Sequence, residues 1–431
     1  MVMKMTSVDL SEWDRREVPG IEFADAKARK TAEVLSAKGI IDIEEMKNGI
    51  SITTNSYVGK ITIGGLRINI YPKLKGMPLY KLLRYAYGLS DLKLYDSAEH
   101  SLSGFSFFDL LIYQMYAEAD DIYRRGIGKS YLSVSEDLST PRGRIDMVRL
   151  ARSNVQTAAL PCKYFFRSEN TVLNQTVLAG LRLGIQLVSD NGLKMKLRSL
   201  AGAYSETIDE IRLNRVVLQK AKSTLNRLML RYRAPLEIIN ILYESQGMQM
   251  EDDMRIIILN GFFFDMNAFF ETLISRLLSD YCIQYTVKDQ YSLSGMFKYA
   301  PGYNPKHNPS PTPRPDFAIF KNGRAARLLD AKYRDLWNNP LPRDMLYQLA
   351  VYAVSGVGDK TATILYPALD NIPSVQKVDI FNPVGGGKMA EVIIRPVNLD
   401  KISKALYSDG DSPNHKSDYL ITIMDAAVRG S

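Results

Sequence analysis

The segment from Arg314 to Arg334, RPDFAIFKNGRAARLLDAKYR, constrains the fold of this 431-residue chain more than any other. Two apolar runs flank a Lys-Asn-Gly turn, which is typical of a β-hairpin. Charged residues interrupt both runs: Asp316 opens the first, and Asp330 and Lys332 stand in the second among leucine and alanine. Because unpaired buried charges cost free energy, this pattern indicates a hairpin that binds something.

The turn decides whether the two aspartates share a face of the hairpin. Strand side chains alternate, so Asp330 and Lys332 point to the same side. A two-residue turn at Asn322-Gly323 would send Asp316 to the opposite face. A three-residue loop that begins at Lys321 would return it to the face of Asp330. We expect the three-residue loop, which places the two aspartates diagonally, about 7–8 Å apart.

The residue types of the hairpin suit metal-dependent phosphodiester hydrolysis. Mg²⁺ is commonly held by one or two carboxylates, with water and phosphate oxygens completing its coordination. Asp316 and Asp330 therefore predict a site for Mg²⁺, or for Mn²⁺, which accepts the same oxygen ligands. The metal would polarise the phosphate and lower the pKa of a bound water. Lys332 would orient that water or stabilise negative charge in the transition state.

Composition excludes several alternative chemistries. The chain has two cysteines and three scattered histidines, too few for a disulfide framework, a zinc ribbon or an iron–sulfur cluster on four thiolates. Its net charge of +8 suits a polyanionic partner such as nucleic acid. The charged N-terminus lacks an apolar signal core, and no uncharged run is long enough to span a membrane. We therefore expect no membrane association and a location in the cytoplasm.

Hydrophobic periodicity predicts an α/β fold of the multidomain α+β kind. Residues 1–100 are predicted to be β-rich, with a hairpin turn at Gly64-Gly65. Residues 101–245 form a mainly helical, basic middle region. Residues 246–431 show the order helix, strands, helix, strand, which is typical of a compact α/β domain. The charged hairpin from Arg314 to Arg334 lies in this last region.

The charged hairpin resembles a known nuclease motif. Pro315-Asp316 followed by Asp330-Ala331-Lys332 is similar to the PD-(D/E)XK signature. Glu271 lies on the preceding predicted helix, where these nucleases often carry a metal-supporting acid. Gln348 and Tyr352 are four residues apart, hence on one face of the following helix. They resemble the QxxxY element of the RecB-like branch, so a restriction-endonuclease-like PD-(D/E)XK domain is expected.

The nuclease resemblance implies roles for individual residues. The implied catalytic residues are Asp316, Asp330, Lys332 and Glu271, with Asp316, Asp330 and Glu271 as metal ligands and Gln348 and Tyr352 as supporting residues. Two arginines flank the motif and are candidate DNA-binding residues, with ordinary surface charge as the alternative: Arg314 and Arg334.

The first half of the chain resembles the McrC family, which supplies the nuclease subunit of modification-dependent McrBC restriction systems. The resemblance rests on VGKITIGGLRINIYPKL, RRGIGKSYL, TPRGRIDM and FRSENTVLNQTVLAGLR, in that order, and extends from about Ile50 to Val397. It implies a Mg-dependent endonuclease subunit that cleaves double-stranded, modified DNA. It also implies activation by a partner AAA+ GTPase ring, McrB, so that GTP acts only through the partner.

The McrC resemblance also implies that the N-terminal part docks into the ring and stimulates GTP hydrolysis. The hairpin around Gly64-Gly65 is a candidate for this contact, acting as an arginine finger does. An ordinary sheet edge blunted by lysines is the alternative. A motor in this chain is not expected, because RRGIGKSY has Tyr123 where a phosphate-binding loop needs glycine. The candidate partner-binding residues are Lys60, Arg67 and Lys73.

Two other functions remain open at this point. One is a stand-alone or repair-type PD-(D/E)XK nuclease with unrelated N-terminal domains. The other is a non-catalytic adaptor that binds a motor or nucleic acid on a decayed nuclease fold. The intact Asp316, Asp330 and Lys332 argue against the adaptor.

Overall fold

The chain divides into two compact units. The computed structural model describes residues 6–23, 25–74, 76–88, 107–152, 158–245, 250–252, 255–257, 261–368, 373–407, 420–422, 424–425 and 428. One unit combines Met1–Ser90 with Ser245–Ser431, and the other is Asp91–Glu244. Both contain helices and strands, so the predicted α/β fold class is confirmed.

The strands of the N-terminal residues form two small sheets within the described part of the first unit. One sheet has the order β1-β6-β5-β12 and the other the order β2-β4-β3. Helix α1 (Ala26–Ala37) begins at Asp25, whose carboxylate accepts a hydrogen bond from the amide of Ala28. The strands are β1 (Thr6–Ser11), β2 (Arg15–Pro19), β3 (Ile41–Met46), β4 (Gly49–Thr54), β5 (Tyr57–Ile63), β6 (Leu66–Tyr71) and β12 (Gly261–Asp265).

The pairing of β5 with β12 changes the domain organisation expected from sequence. In this antiparallel pair Gly59 lies opposite Phe263, so a strand of the C-terminal region completes the N-terminal sheet. Residues 1–90 and 245–431 therefore form one compact unit. The sequence pattern instead predicts a domain boundary near residue 246. The two strands lie about 200 residues apart along the chain, and local periodicity carries no information on such pairing.

The C-terminal residues of the first unit build its largest sheet. Among the described residues its order is β13-β14-β15-β16-β18-β17, with β15, β16 and β18 parallel and the remaining pairs antiparallel. Helix α10 (Arg343–Val354) covers one face, where Leu349 and Ala353 share a core with Leu328 and Ile364. The strands are β13 (Thr286–Asp289), β14 (Phe317–Lys321), β15 (Arg324–Ala331), β16 (Thr361–Ala368), β17 (Gln376–Phe381) and β18 (Lys388–Asn398).

Three further helices and a short hairpin also belong to the described part of this unit. Helix α9 begins at Asp265, whose carboxylate accepts hydrogen bonds from the amides of Asn267 and Ala268. Helix α2 packs against both α9 and α11. The elements are α2 (Gly76–Ala86), α9 (Met266–Tyr281), α11 (Leu399–Tyr407), β10 (Met250–Asp252) and β11 (Arg255–Ile257).

The turn between β14 and β15 differs from the expected three-residue loop. Lys321 pairs with Arg324, so Asn322-Gly323 is a two-residue turn. Both turn residues have positive φ, 51° and 77°, as the type I′ hairpin turn requires. The prediction of a three-residue loop is therefore wrong. The Asn-Gly dipeptide, the strongest short hairpin signal, decided the turn.

A β-bulge reverses the consequence of that turn. The register shifts between Phe320, which pairs with Ala325, and Ile319, which pairs with Arg327. One extra residue in β15 therefore has no partner in β14, and beyond it every side chain changes face. Extending the shifted register past Phe317 and Leu329 places Asp316 opposite Asp330. The two aspartates consequently share a face, as expected, but stand opposite rather than diagonal.

The second unit is mainly helical, as predicted for the middle region. The predicted helix 105–126 is α3, and its residues 105–106 lie outside the described part of the chain. Lys129, in the segment that superficially resembles a phosphate-binding loop, forms an ion pair with Glu169 at 2.7 Å. The elements are α3 (Phe107–Arg124), β7 (Ser130–Leu138), β8 (Arg144–Ile145), α4 (Met147–Arg152), β9 (Leu160–Ser168), α5 (Val172–Leu187), α6 (Asn191–Ser205), α7 (Arg215–Thr224), a 3₁₀ helix (Arg227–Tyr232) and α8 (Arg233–Glu244).

Close packing and one buried polar network hold the second unit together. A Cβ on Gly180 of α5 would stand 2.4 Å from the side chain of Ile239 on α8, so only glycine permits this approach. The buried Tyr232 hydroxyl donates to Asn174 Oδ1 at 2.6 Å and accepts from the amide of Gly128 at 2.7 Å.

Across the described residues, every helix is too short or too polar to cross a membrane.

Tyr333, two residues beyond β15, joins the large sheet to the start of the chain. Its hydroxyl donates to Glu12 Oε1 at 2.9 Å, and its carbonyl accepts from the indole of Trp13 at 3.0 Å. The amide of Lys73 also donates to Glu12 Oε1, at 2.7 Å. The Tyr333 amide donates to Asn267 Oδ1 at 2.9 Å. These bonds fix the chain just after the charged hairpin.

The buried Glu12 predicts a specific pH dependence of stability. Burial raises the pKa of Glu12 to about 7, from 4.5. The folded protein thus binds this proton more tightly than the unfolded chain, and the resulting stabilisation is complete below about pH 4.5 and lost as pH rises through 7. Glu12→Gln, which keeps the accepting oxygen, should remove that loss, which amounts to about 3 kcal/mol at most.

Urea denaturation of wild type and Glu12→Gln at pH 5 and pH 8 measures this effect. The variant should gain stability relative to wild type at pH 8 and little at pH 5. Glu17→Gln is the matched control, because Glu17 is exposed on β2. An equal difference between Glu12→Gln and wild type at both pH values would contradict the prediction.

Candidate active site

The charged hairpin presents a compact cluster of two carboxylates and one ammonium. Lys332 Nζ lies 2.9 Å from Asp330 Oδ2 and 3.3 Å from Asp316 Oδ2. Asp330 is 2% exposed and Asp316 is 7% exposed, so both charges are almost fully removed from water. Lys332 is more open, with 26% of its side chain exposed. The bulged hairpin therefore creates one buried acidic pair and a lysine that reaches it from the surface.

The backbone and one glutamine orient Asp316. The amide of Ala331 donates to Asp316 Oδ2 at 2.9 Å. Gln290 donates from Nε2 to Asp316 Oδ1 at 3.4 Å and to Glu271 Oε1 at 2.6 Å, and its own amide donates to the carbonyl of Asp316 at 2.7 Å. Gln290 has a positive φ of 49°, which non-glycine residues adopt at a cost. It thus stands between Glu271 on α9 and the acidic pair.

Lys332 keeps its positive charge in this cluster, whereas Asp330 binds a proton more tightly than an ordinary aspartate does. Burial, and then the neighbouring Asp316, raise the pKa of Asp330 to about 6. Burial alone would lower the pKa of Lys332, but the two carboxylates outweigh it and raise this pKa. Burial and Asp316 also raise the pKa of Glu271. At pH 7 to 8 the cluster therefore holds a charged Lys332 beside an ionised Asp330.

The acidic pair fits a hard divalent cation in its chemistry. Asp330 Oδ1 is buried and has no hydrogen-bond partner, which leaves one carboxylate oxygen available to a ligand. Carboxylate oxygens are the ligands that Mg²⁺ and Mn²⁺ prefer. Within the described residues, no group of three or more Asp, Glu, His or Cys side chains could hold a metal ion. The pair of Asp316 and Asp330 is thus the part of the predicted ligand set that the structure assembles, and Gln290 separates Glu271 from it.

The predicted supporting residues of α10 shape the chain just before Asp316. Gln348 Nε2 donates to the Tyr352 hydroxyl at 2.6 Å, and that hydroxyl donates to the carbonyl of Arg314 at 2.9 Å. Tyr352 is buried, and burial raises its pKa to about 12, so it remains protonated and keeps its donor. Gln348 and Tyr352 therefore position the Arg314–Asp316 segment and make no hydrogen bond to the two carboxylates.

The two candidate DNA-binding arginines have different surroundings. Arg314 is exposed and lies two residues before Asp316 in the sequence. Arg334 is half-buried, and its guanidinium lies 5.1 Å from the ring centroid of Trp13, within cation–π distance. Their contact with DNA stays a prediction.

The hairpin predicted to contact a partner lies inside a sheet. Strands β5 and β6, which carry Lys60 and Arg67, pair on their outer sides with β12 and β1. The carbonyl of Gly65 at the tip accepts a hydrogen bond from the amide of Thr6. Each of the two strands therefore has a neighbour on both sides. Lys73 lies next to Glu12 instead, and partner contacts by these three residues stay predictions.

The six-stranded sheet, its covering helix α10 and the Asp-Asp-Lys cluster together form a mixed α/β domain with a buried charged site. The profile of the family described as McrBC 5-methylcytosine restriction system component matches residues 52–367. The match covers well over half of the chain. The chain therefore belongs to the McrBC family and is a component of a restriction system of this type. The resemblance to McrC noted from sequence is thereby confirmed.

A solved structure shares the fold of this chain. A chain of the refined half-complex from a tetradecameric assembly of Thermococcus gammatolerans McrB AAA+ hexamers with bound McrC is similar at a TM-score of 0.62 and 19% identity. The similarity covers 97% of this chain and 99% of that one. A chain of the cryo-EM structure of the Thermococcus gammatolerans McrBC complex gives a TM-score of 0.46 and 22% identity, over 64% and 88%. No curated protein matches the chain.

The charge cluster predicts how stability responds to removal of Lys332. Lys332→Met leaves two buried carboxylates without their ammonium, which removes the positive charge that lowers the pKa of Asp330. Stability of the variant should therefore be nearly normal near pH 4, where Asp330 is protonated, and should fall as pH rises. At pH 8 we expect a loss of about 3 kcal/mol, typical of a broken buried ion pair.

Urea denaturation at pH 4 and pH 8 measures this loss. Lys321→Met, an exposed lysine of the same hairpin, is the control and should change stability by less than about 0.5 kcal/mol. If Lys332→Met lost the same stability at both pH values, the ammonium would not be what balances the aspartates.

Proposed function

We propose that this chain is the Mg²⁺-dependent DNA endonuclease subunit, McrC, of a McrBC-type restriction system. The observation that carries the proposal is the buried pair of Asp316 and Asp330, with Lys332 Nζ within 3.3 Å of both and an unpaired oxygen on Asp330. The family description, which names 5-methylcytosine, favours modified double-stranded DNA as the substrate. The intact cluster disfavours a non-catalytic adaptor, and the family match disfavours an unrelated repair nuclease.

In this mechanism the protein supplies orientation and charge. A divalent cation on Asp316 and Asp330 would activate water and neutralise the phosphate. Lys332 remains charged because its pKa is raised, so it can hold the attacking water or stabilise the negative charge that develops on the phosphate. Gln290 fixes Asp316 and Glu271 relative to each other. Because these groups are in place before substrate binds, little reorganisation is needed during the reaction.

We further propose that the partner is an AAA+ GTPase ring and that GTP acts only through it. A ribbon of β7 and β9 in the second unit offers the better candidate for docking. Tyr131 and Phe165 are each 70% exposed, and Leu132 and Phe166 are 46% and 47% exposed. Since Leu132 pairs with Phe166 and Phe165 with Ser133, large apolar side chains stand on both faces of the ribbon. Clustered exposed aromatic residues of this kind mark protein interaction sites.

Asp330→Asn should abolish cleavage. The substitution keeps the shape of the side chain but removes the charge that holds the cation, so we expect a loss of at least about 10³-fold in cleavage rate. The assay uses methylated duplex DNA, Mg²⁺, GTP and the GTPase partner. Asp379→Asn on the edge strand β17 is the matched control and should cleave as wild type does. Undiminished cleavage by a pure preparation of Asp330→Asn would refute the assignment of this cluster.

Substitutions in the ribbon should separate partner docking from cleavage chemistry. Phe165→Ser with Phe166→Ser should weaken stimulation of GTP turnover by about tenfold or more, because exposed aromatic anchors dominate interface affinity. Leu228→Ser, at an 85% exposed leucine of the same unit, is the control. Arg67→Ala tests the hairpin predicted from sequence. Loss of stimulation in Arg67→Ala, together with normal stimulation by the ribbon variant, would return the partner surface to that hairpin.

A further inference from the structure

A cavity of about 400 Å³ lies beside the acidic cluster, in the same unit, and takes no part in the chemistry derived above. Its walls include both tryptophans of the chain, Trp13 and Trp337. Its volume is in the range of about 300–1,000 Å³ that is usual for small-molecule sites. It is formed where the parallel strands β15 and β16 end, the edge at which open α/β sheets bind ligands.

Two buried polar atoms in the wall lack partners. Glu12 is 0% exposed, and its Oε2 is buried without a hydrogen bond, although Oε1 accepts two. Tyr366 is also 0% exposed, and its hydroxyl is buried without a hydrogen bond. Both residues line the cavity. Because buried polar groups are nearly always paired, two unpaired atoms at one cavity indicate a ligand that supplies the missing hydrogen bonds.

The two aromatic walls are positioned by hydrogen bonds of different kinds. Trp13 has a positive φ of 57°, a costly backbone conformation for a large side chain, and its indole nitrogen donates to the carbonyl of Tyr333. Trp337 is 49% exposed at the end of a turn in which Asp335 Oδ1 accepts from the amide of Trp337. Fixed aromatic surfaces with separate hydrogen-bonding atoms suit a flat heteroaromatic ligand, which stacks on the rings and pairs through its edge.

The lining of the cavity carries charges of both signs. Lys73 and Arg334 line it together with Glu12 and Asp335. The cavity also follows directly from the catalytic strand: the amide of Lys332 donates to the carbonyl of Leu365, and the next residue along each strand, Tyr333 and Tyr366, lines the wall. The cavity wall therefore begins one residue after Lys332, so a nucleotide whose phosphate lies at the acidic cluster is close to the cavity.

We infer that this cavity binds one unstacked nucleobase of the DNA strand next to the phosphate that is cut. Trp13 and Trp337 provide stacking, and Glu12 Oε2 and the Tyr366 hydroxyl pair with the edge of the base. Enzymes that draw a base out of the stack hold it by this combination of aromatic contact and edge hydrogen bonds. The inference deepens the proposed function and rests on it for the identity of the ligand as DNA.

Intrinsic fluorescence provides a direct test, because both tryptophans of the chain lie at the cavity. The full-length protein, in EDTA so that no cleavage occurs, is titrated with the four single-base deoxytetranucleotides and with an abasic tetranucleotide. Saturable quenching by at least one base-containing tetranucleotide is expected, and none by the abasic one. Equal quenching by the abasic tetranucleotide would overturn the inference, because phosphate alone would then account for binding. Absence of saturable quenching would overturn it as well.

Two variants separate a binding role from a structural one. Trp337→Ala should weaken binding by about tenfold or more, since stacking on one aromatic ring is worth ~1–3 kcal/mol per base. Tyr366→Phe removes only the unpaired hydroxyl and should weaken binding about fivefold, the equivalent of one hydrogen bond of ~1 kcal/mol. Its thermal stability should be equal to wild type or higher, because no internal hydrogen bond is lost. Phe381→Ala, at an exposed aromatic residue outside the cavity, is the control.

The outcomes are independent of the cleavage assay. Unchanged affinity in both Trp337→Ala and Tyr366→Phe would overturn the cavity as the base site, even if Asp330→Asn abolishes cleavage. Normal base-dependent quenching in a chain that cleaves no DNA would instead contradict the proposed nuclease function and leave the base site in place.

Discussion

The ammonium of Lys332, held between the carboxylates of Asp316 and Asp330, is the interaction on which the large sheet and its site depend. Two carboxylates that are almost fully buried repel each other strongly unless a cation or a proton lies between them. Lys332 supplies that charge within 3.3 Å of both, and the amide of Ala331 supplies a further donor to Asp316. The folded protein therefore holds two carboxylates and one ammonium together at a single buried site.

This arrangement requires a defect in the hairpin. A regular two-residue Asn-Gly turn would place Asp316 and Asp330 on opposite faces of the sheet. The bulge near Ala326 adds one residue to β15 and exchanges the faces, so that both aspartates point the same way. Bulges are found next to active sites because they redirect side chains without disturbing the rest of a ladder. The bulge removes the strand pairing of one residue, and in exchange it brings both aspartates to one face of the sheet.

The beginning of the chain is part of the same unit as the site. Glu12 and Trp13 bind Tyr333, and Asn267 binds the Tyr333 amide while its own amide group donates to Ser56. The segment that follows Lys332 is thus fixed by residues more than 300 positions earlier. The N-terminal residues consequently support the segment that follows the charged hairpin and form one wall of the adjacent cavity.

Sequence patterns predict the residues of the site but not all of the residues that orient them. Asp316, Asp330, Lys332, Gln348 and Tyr352 were found because their spacing follows strand and helix periodicity and resembles a known motif. Gln290, which joins Glu271 to Asp316, has no such signal: it lies at the end of β13, outside any motif, and its role arises from a positive φ and two hydrogen bonds. The cavity has no sequence signal for the same reason, since its walls come from five separate segments.

The sequence by itself determined the α/β class, the family and the acidic residues of the site, because these depend on residue identity and on spacing over a few residues. Only the tertiary structure decided that β5 pairs with β12, that a bulge brings Asp316 opposite Asp330, and that Trp13 and Trp337 share one cavity. Each of these depends on contacts between residues distant in sequence or on a one-residue shift of register. Such choices are made by the packing of the whole core, and local periodicity is the same for either outcome.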